Sequence, residues 1–429
     1  MENFDFFKHI KAPSFLNGVD QEAINDAVNL FKRKTYLNLQ RLKEEPYDLT
    51  NLFRPAKYDW PGDWEGRALL AFMCHYEINC ETSPHLFDFV SMIPEKTNEH
   101  FYFGKKFDGE TADEQQLSGH NWYLRGLIKY NEHFPCDNVR EYAKSVVENL
   151  YLPLKEWYLR YPLDNRANVG DVSGSVTDTV NGWRLSSDVG CAFMCVDGLV
   201  QYLKLSHDAR VYELLDTIID VFAGIDLLKY KMQTHTTLTC LRGIFALYQM
   251  TKKMKYLKIV IDKFTFYVEN GMTLTYENFN WFGRNDTWTE PCAVVDSFIL
   301  ATKLYNLTSD EKYKTLARRI WFNGLSFCQR ENGGAGPNTC VRADQPILKI
   351  SMYEAPFCCT MRYAEGLLEC SRNFHLFIHN KNAAVETDSY GRRFVDDVLL
   401  VKLNGEEMPI FSCITLPKEE AEKIKLSVF

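Results

Sequence analysis

The sequence predicts a mainly α protein. The expected architecture is a closed (α/α)6 toroid of six inner and six outer helices, with a small antiparallel β appendage at the C-terminal end. Three observations predict it. Over residues 21–372 apolar side chains recur three and four apart, as in "QEAINDAVNLFKRKTYLNLQRL" and "WEGRALLAFMCHYEI", the spacing of helices with one buried face; about twelve such segments can be traced. The second observation is a loose repeat. Tyr76, Tyr130, Tyr202, Tyr248 and Tyr305 each end an apolar segment, a short polar turn follows, and another helical segment begins. Their separations, 54, 72, 46 and 57 residues, suit a helical hairpin plus a variable loop. Hairpins repeated in this way must stack to bury their faces, as an open solenoid or, at about six pairs, as a closed ring. Third, the pattern changes after Arg372. "FHLFIHN", "AAVETDSYG", "RFVDDVLLVKLNG" and "MPIFSCITL" read as short strands separated by "NKN", "YGR" and "NGEE". The expected domains are therefore a barrel over residues 1–372 and a short β-rich region over 373–429.

A ring of this kind has an open mouth lined by loops and helix N-termini. The longer Gly-, Asn- and Trp-rich connections, 59–65, 165–184, 275–290 and 331–356, are the segments expected to build it.

The bulk properties exclude several classes. The 429 residues are 46% hydrophobic and 25% charged, with a formal net charge of −8 and no lysine- or arginine-rich run. A nucleic-acid surface needs a concentrated basic stripe, so none is expected. "MENFDFFKHIKAPSF" mixes charges among its apolar residues and is unlike a secretory leader. No apolar run reaches the length of about 18 residues that a membrane span requires. The thirteen cysteines are odd in number and scattered through helix-like segments, which fits reduced thiols and a cytoplasmic location. Most are expected to be buried as small hydrophobes, including Cys191, Cys195, Cys240 and Cys328.

Two stretches stand apart. In "NDTWTEPCAVVDSF", Glu290 and Cys292 flank Pro291 at the head of an apolar helix. Proline is favoured at the first helical position, so Glu290 falls at the N-cap and Cys292 in the first turn. In "YEAPFCCTMR", Cys358 and Cys359 stand in the same relation to a later helix, behind Pro356. Helix N-termini carry partial positive charge and free N–H groups, which lower a thiol's pKa toward the thiolate, the form that binds metal or attacks carbon. If the two helices are neighbours in the ring, these four side chains converge as three thiolates and a carboxylate, an acceptable tetrahedral zinc set. The alternative is ordinary buried thiols.

"TEPCAVVDSFILATKLYNLTSDEKY", then "RRIWFNGLSF", then a Cys-Cys helix start resembles the β-L-arabinofuranosidase family, glycoside hydrolase family 127 and relatives. The resemblance implies an (α/α)6 barrel with appended β structure, and a zinc ion held by Glu290, Cys292, Cys358 and Cys359. It also implies Cys358 as the nucleophile and Glu277, in the loop before "TEPC", as the general acid/base. The family commonly has an asparagine soon after the cysteine pair, where this chain reads Thr360, Met361, Arg362. The function implied is a retaining glycoside hydrolase that removes a terminal furanoside such as β-L-arabinofuranose. The alternatives are a non-hydrolytic zinc-bound relative, acting in carbohydrate binding or assembly, and an (α/α)6 sugar epimerase using histidines at the mouth. A small carbohydrate is the expected partner and a homodimer a further expectation, with no nucleic acid and no membrane.

Among other residues, His120 and His235 lie near helix starts and are candidates to face the mouth and touch substrate. Trp60, Trp64, Trp281 and Trp288 lie in the expected mouth loops, where Trp281 in particular is a candidate to stack on a sugar ring. Asp188, in "RLSSDVGCAFMC", reads as a helix N-cap.

Overall fold

The computed structural model describes residues 21–53, 60–163, 173–342, 351–403, 405–410 and 426–427. Parts of the expected mouth loops (59, 165–172 and 343–350), most of "MPIFSCITL" and the N-terminal "MENFDFFKHIKAPSF" lie outside these residues. The helices, in order, are α1 (Gln21–Arg41), the single turn α2 (Leu49–Leu52), α3 (Asp63–Asn79), α4 (Leu86–Lys96), α5 (Glu114–His133), α6 (Asp137–Val146), the single turn α7 (Lys155–Tyr158), α8 (Cys195–Tyr202), α9 (Ala209–Ala223), α10 (Thr234–Thr251), α11 (Met254–Asn270), α12 (Pro291–Thr308), α13 (Glu311–Asn323) and α14 (Cys359–Arg372).

Six of them close a ring. α3 packs on α5, α5 on α8, α8 on α10, α10 on α12, α12 on α14, and α14 returns to α3. Outside it, α6, α9, α11 and α13 each pack on the inner helix that precedes them, and α1 packs on α14; the turn α2 touches both α3 and α4. Composition explains the sorting. α12, "PCAVVDSFILATKLYNLT", is buried from Pro291 to Thr302, as a helix with neighbours on every side must be. α13, "EKYKTLARRIWFN", buries Tyr313, Ala317, Ile320 and Trp321 on one face and leaves most of its charges on the other.

The tyrosine repeat marks where inner helices end. The carbonyls of Tyr76, Tyr130, Tyr202, Tyr248 and Tyr305 each accept the amide four residues on, from Cys80, Phe134, Ser206, Lys252 and Ser309. In three of these cases the chain leaves the helix through a left-handed residue, Cys80, Lys252 or Ser309, a turn that satisfies carbonyls left over at a helix end. Glycine sets how closely the ring closes. A Cβ on Gly66 of α3 would lie 2.1 Å from the Tyr123 amide nitrogen of α5, and one on Gly243 of α10 would lie 2.6 Å from that of Asp197 on α8. Only a residue without a side chain permits such backbone approach.

Two small sheets attach to the ring. β1 (Ala112–Asp113), β2 (Val176–Val180) and β3 (Trp183–Ser186) form a three-stranded sheet of order β1-β3-β2. The segment 165–184, expected as a mouth loop, is therefore partly strand. Its hydrogen bonds hold the head of α5: Asp113 caps the Gln115 and Gln116 amides, and Ser186 N donates to Glu114 at 2.7 Å. At the C-terminal end β4 (Val385–Thr387), β5 (Arg393–Val395), β6 (Val398–Leu403) and β7 (Glu406–Pro409) run antiparallel in chain order, and β8 (Leu426–Ser427) pairs with β6. This sheet docks on α13. Arg318 and Arg319 clamp Asp397 at 2.7 and 3.1 Å, and Arg319 lies 3.8 Å over the Phe394 ring. Among the described residues no helix is long and apolar enough to cross a membrane.

Candidate active site and metal centre

The six inner helices run in the same direction, so their N-terminal ends meet at one mouth. The cavity there, about 540 Å³, is lined by Asp63 and Arg67 of α3, Ser118 of α5, His235 of α10, Glu290 at the head of α12, and Cys358 and Cys359 at the head of α14. Trp60, Asp188, Trp288, Tyr353 and Phe357 line it from the connections.

α12 begins as its residues dictate, with Glu290 at the N-cap, Pro291 first and Cys292 in the opening turn. α14 begins one residue later than the cysteine pair suggests: Cys358 is the cap and Cys359 the first helical residue. The preceding turn is held from α1. Arg41 pairs with Glu354 through Nε and Nη2 at 2.8 and 3.0 Å, and Thr360 Oγ1 donates to the same carboxylate at 3.0 Å. Tyr47 OH donates to the Pro356 carbonyl at 2.8 Å.

Because α12 and α14 are neighbours, the cysteines meet. Cys358 Sγ lies 3.4 Å from Cys359 Sγ, which lies 3.9 Å from Cys292 Sγ. A tetrahedral zinc ion with Zn–S bonds of about 2.3 Å needs sulfurs about 3.8 Å apart, so these thiols fit one. A second group, His235, Glu290 and Cys292, shares Cys292 with the first, each group having its ligand atoms within 4.8 Å of one another. His235 Nδ1 lies 3.0 Å from Glu290 Oε1 and His235 Nε2 lies 3.6 Å from Asp296 Oδ2. The imidazole thus stands behind the carboxylate as an orienting partner, an arrangement common around metal ligands. Gln233 Nε2 donates to the other Glu290 oxygen at 3.4 Å.

Burial by itself would raise the Cys292 pKa, but contact with the thiols of Cys358 and Cys359, with help from Arg67, holds it well below the usual thiol range. Arg67 Nη1 donates to its sulfur at 3.5 Å. Contact with Cys292 pushes Cys358 up, and burial with the same neighbour pushes Cys359 up. Three packed sulfurs cannot all ionise unless a cation offsets their repulsion.

Other expected residues fall elsewhere. Glu277 is fully buried outside the cavity lining. Its Oε1 accepts from Asn338 Nδ2 at 2.8 Å and Thr289 Oγ1 at 3.4 Å, and its Oε2 from Thr275 Oγ1 at 3.2 Å. His120, also off the cavity, is a packed neutral imidazole: Nδ1 donates to the Gln116 carbonyl at 2.7 Å and Nε2 accepts from Phe103 N at 2.9 Å. Burial lowers its pKa to about 4. Trp281 is buried one layer back, its Nε1 on the Ser187 carbonyl at 3.1 Å and its ring edge-on to Trp288 at 5.4 Å. Trp64 is not in a loop but inside α3, stacked on Tyr47. Trp60 and Trp288 are the two tryptophans at the cavity wall. Cys191, Cys195, Cys240 and Cys328 are buried in the interior.

The sequence concealed Asp188. Its Ser-Ser-Asp setting imitates a cap, yet its carboxylate faces the cavity and accepts from Ser173 Oγ at 2.8 Å. Burial, reinforced by the Glu290 charge, raises its pKa to about 7. A carboxyl that keeps its proton near neutral pH can serve as an acid.

No family model matches the sequence, and no curated protein matches it either. Solved structures do resemble the fold. Cellobiose 2-epimerase from Bacillus thermoamylovorans B4167 superposes with a TM-score of 0.52 at 15% identity, over 81% of this chain and 100% of that one. A family 127 β-L-arabinofuranosidase from Geobacillus stearothermophilus T6 gives 0.50 at 11%, over 95% and 78%. An α-1,6-mannanase of family 76 from Salegentibacter sp. HEL1_6 gives 0.50 at 12%, over 81% and 99%. At these identities the likeness establishes the (α/α) barrel.

Proposed function

We propose that this chain is a carbohydrate-processing enzyme, and that it is a retaining glycoside hydrolase removing a terminal furanoside such as β-L-arabinofuranose. Glu290, Cys292, Cys358 and Cys359 would hold a zinc ion, with Cys358 as nucleophile. The observation that carries this reading is the meeting of three cysteine sulfurs, from two helix starts, at the wall of a cavity large enough for a sugar. The resemblance in "TEPC" and the Cys-Cys helix start supports it.

Bound zinc would keep the cysteine sulfurs ionised at neutral pH. Trp60 and Trp288 place aromatic rings at a wall otherwise rich in polar side chains, a combination that suits a sugar. Cys358 Sγ attacks the anomeric carbon, forming a C–S bond as the C–O bond to the leaving group breaks. The acid role falls to Asp188 rather than Glu277 in this reading, because Asp188 lies on the cavity wall. It gives its proton to the leaving oxygen, then takes one from the water that breaks the C–S bond and restores the Cys358 thiolate. Arg67, beside Cys292 and held by Asp63 at 2.8 Å, keeps positive charge near the sulfurs.

The barrel likeness extends equally to hydrolases and to an epimerase. An epimerase relying on imidazole acid/base pairs requires more than one histidine at the mouth. Among the described residues the cavity lining contains one, His235, already engaged with Glu290 and Asp296.

The test is metal analysis of purified protein with assays on aryl furanosides and pyranosides. Stoichiometric zinc and turnover abolished by Cys358→Ser are expected. Zinc-free protein whose activity is unchanged by Cys358→Ser would falsify the reading. Stoichiometric zinc with every substrate untouched would favour a binding protein, and a larger loss from His235→Gln than from Cys358→Ser would favour epimerisation.

A further inference from the structure

The same six helices that open the mouth enclose a second chamber, of about 320 Å³, at their other ends. Most inner helices, or the residues capping them, contribute to both. α3 supplies Arg67 above and Cys74 below, α5 Ser118 and Arg125, α10 His235 and Arg242, α12 Glu290 and Lys303, α14 Cys359 and Arg372. In the helical turn leading into α8, Met194 lines the mouth, while Val200 and Gln201 of α8 and Lys204 beyond its end line the chamber.

Between them lies a layer of paired charge around one ring. Trp122 is covered by the guanidinium groups of Arg67, Arg362 and Arg125 at 4.1, 4.4 and 5.0 Å, and stacks on His235. Asp296 binds Arg242 at 2.5 Å, Thr239 Oγ1 at 2.6 Å, and Arg362. The two cavities are therefore different sites.

The far chamber has a lining rich in cations. Its lining carries the cations Arg125, Lys129, Lys204, Arg242, Lys303 and Arg372 against the carboxylates Glu132 and Glu365. Part of this has an internal explanation. Lys129, Lys204 and Arg372 sit near helix C-termini, where cations are favoured, and pair with Glu77 and Glu132. Arg125 and Arg242 differ. Each lies more than two turns before the end of its helix, beyond the reach of the terminal dipole. Both are buried and paired to Glu365, Arg125 also to Asp197 at 3.1 Å and Arg242 also to Asp296 at 2.5 Å, yet Arg125 Nη1 and Arg242 Nε have no hydrogen-bond partner among the described residues. Lys303 makes no hydrogen bond or ion pair within the described residues; burial, partly offset by Glu369, lowers its pKa. Buried donors without acceptors cost free energy that a ligand can return.

We propose that this chamber is a binding site for a compact polyanion, a phosphate ester or a polycarboxylate, with Arg125, Arg242 and Lys303 as its deep contacts and Lys204 at the rim. A fork of guanidinium donors with a flexible ammonium is the combination that suits phosphate and carboxylate oxygens. A path also leads from this site toward the mouth: Arg242 to Asp296, Asp296 to His235, His235 to Glu290.

The experiment is titration calorimetry of the full chain with pyrophosphate and, separately, with citrate, at low ionic strength. Saturable binding of about one equivalent is expected for at least one of them, and the stronger binder tells phosphate from carboxylate. Lys303→Met should weaken it at least tenfold and Lys204→Met less. Cys358→Ser, at the other mouth, should leave it unchanged. Thermal melts of each variant confirm folding, so loss of binding in a folded Lys303→Met supports the site. No saturable binding to wild type, or equal affinity in folded Lys303→Met, overturns the proposal, and so does loss of binding in folded Cys358→Ser.

Discussion

The two ends of the ring are built from the same six helices and differ in what they present. At the mouth, helix N-termini bring thiols and carboxylates to a cavity whose connections add tryptophans. At the far end, helix C-termini are met by lysines and arginines. The polarity of the helices explains part of this, since thiolates and carboxylates are favoured at N-termini and cations at C-termini. The difference teaches that a parallel inner ring sorts charge along its axis. Trp122 and the Asp296 cluster then form the boundary at which the sorting reverses.

That contrast can be broken at several points. The largest effect is expected from Cys358→Ser, which should reduce turnover of a cleaved furanoside by about 10⁴-fold or more, as loss of a nucleophile does. Retained turnover in steady-state assays would move the chemistry elsewhere in the cavity. Next comes the boundary. Asp296→Ala leaves Arg242 and Arg362 buried with one partner fewer, and should cost about 3–5 kcal/mol in denaturant titrations. A change under about 1 kcal/mol would mean that the layer is not a structural hub.

Asp188→Asn should lower kcat by about 10²- to 10⁴-fold, with Glu277→Gln costing less. The sign of the pH effect follows from the raised pKa. Activity needs the proton on Asp188, so kcat should fall as pH rises through about 7, and Asp188→Asn should flatten that limb. Stability moves the same way. A carboxyl whose folded pKa is raised stabilises the fold fully below its unfolded pKa and loses that contribution as pH climbs through about 7. His120 behaves oppositely. Its folded pKa is depressed to about 4, so its contribution is present above about 6.5 and lost as acid protonates the unfolded chain first. Melting curves between pH 4 and 6.5 should show a decline that His120→Gln reduces. The smallest effect belongs to the far rim. Lys204→Ala removes a half-exposed pair with Glu132 and should change stability by no more than about 1 kcal/mol.

Much of this was legible in the chain. The helical period with its tyrosine-ended repeat announced the ring, and "TEPC" and "APFCC" announced two matched helix starts, because these features are local and depend on spacing and capping. Glu277 and His120 were singled out by the same kind of cue and lie off the cavity lining. Proximity in sequence to a motif, or to a helix start, does not say which way a side chain points. Asp188 was hidden for the converse reason, since a cap and a cavity carboxylate look alike in "SSDVG". Arg362, conspicuous only as a departure after the cysteine pair, became part of the charged layer because its turn of α14 faces the ring interior.

The sequence by itself determined most of the helices, where the inner ones stop, and that Glu290, Cys292, Cys358 and Cys359 sit at helix starts. Periodicity, proline and capping act within a few residues, so they can be read one segment at a time. Only the tertiary structure decided that α12 and α14 are neighbours, that His235 rather than His120 stands behind Glu290, and that the ring holds two cavities with a charged layer between them. Those outcomes depend on ring closure, in which glycine contacts between helices far apart in sequence set the distances.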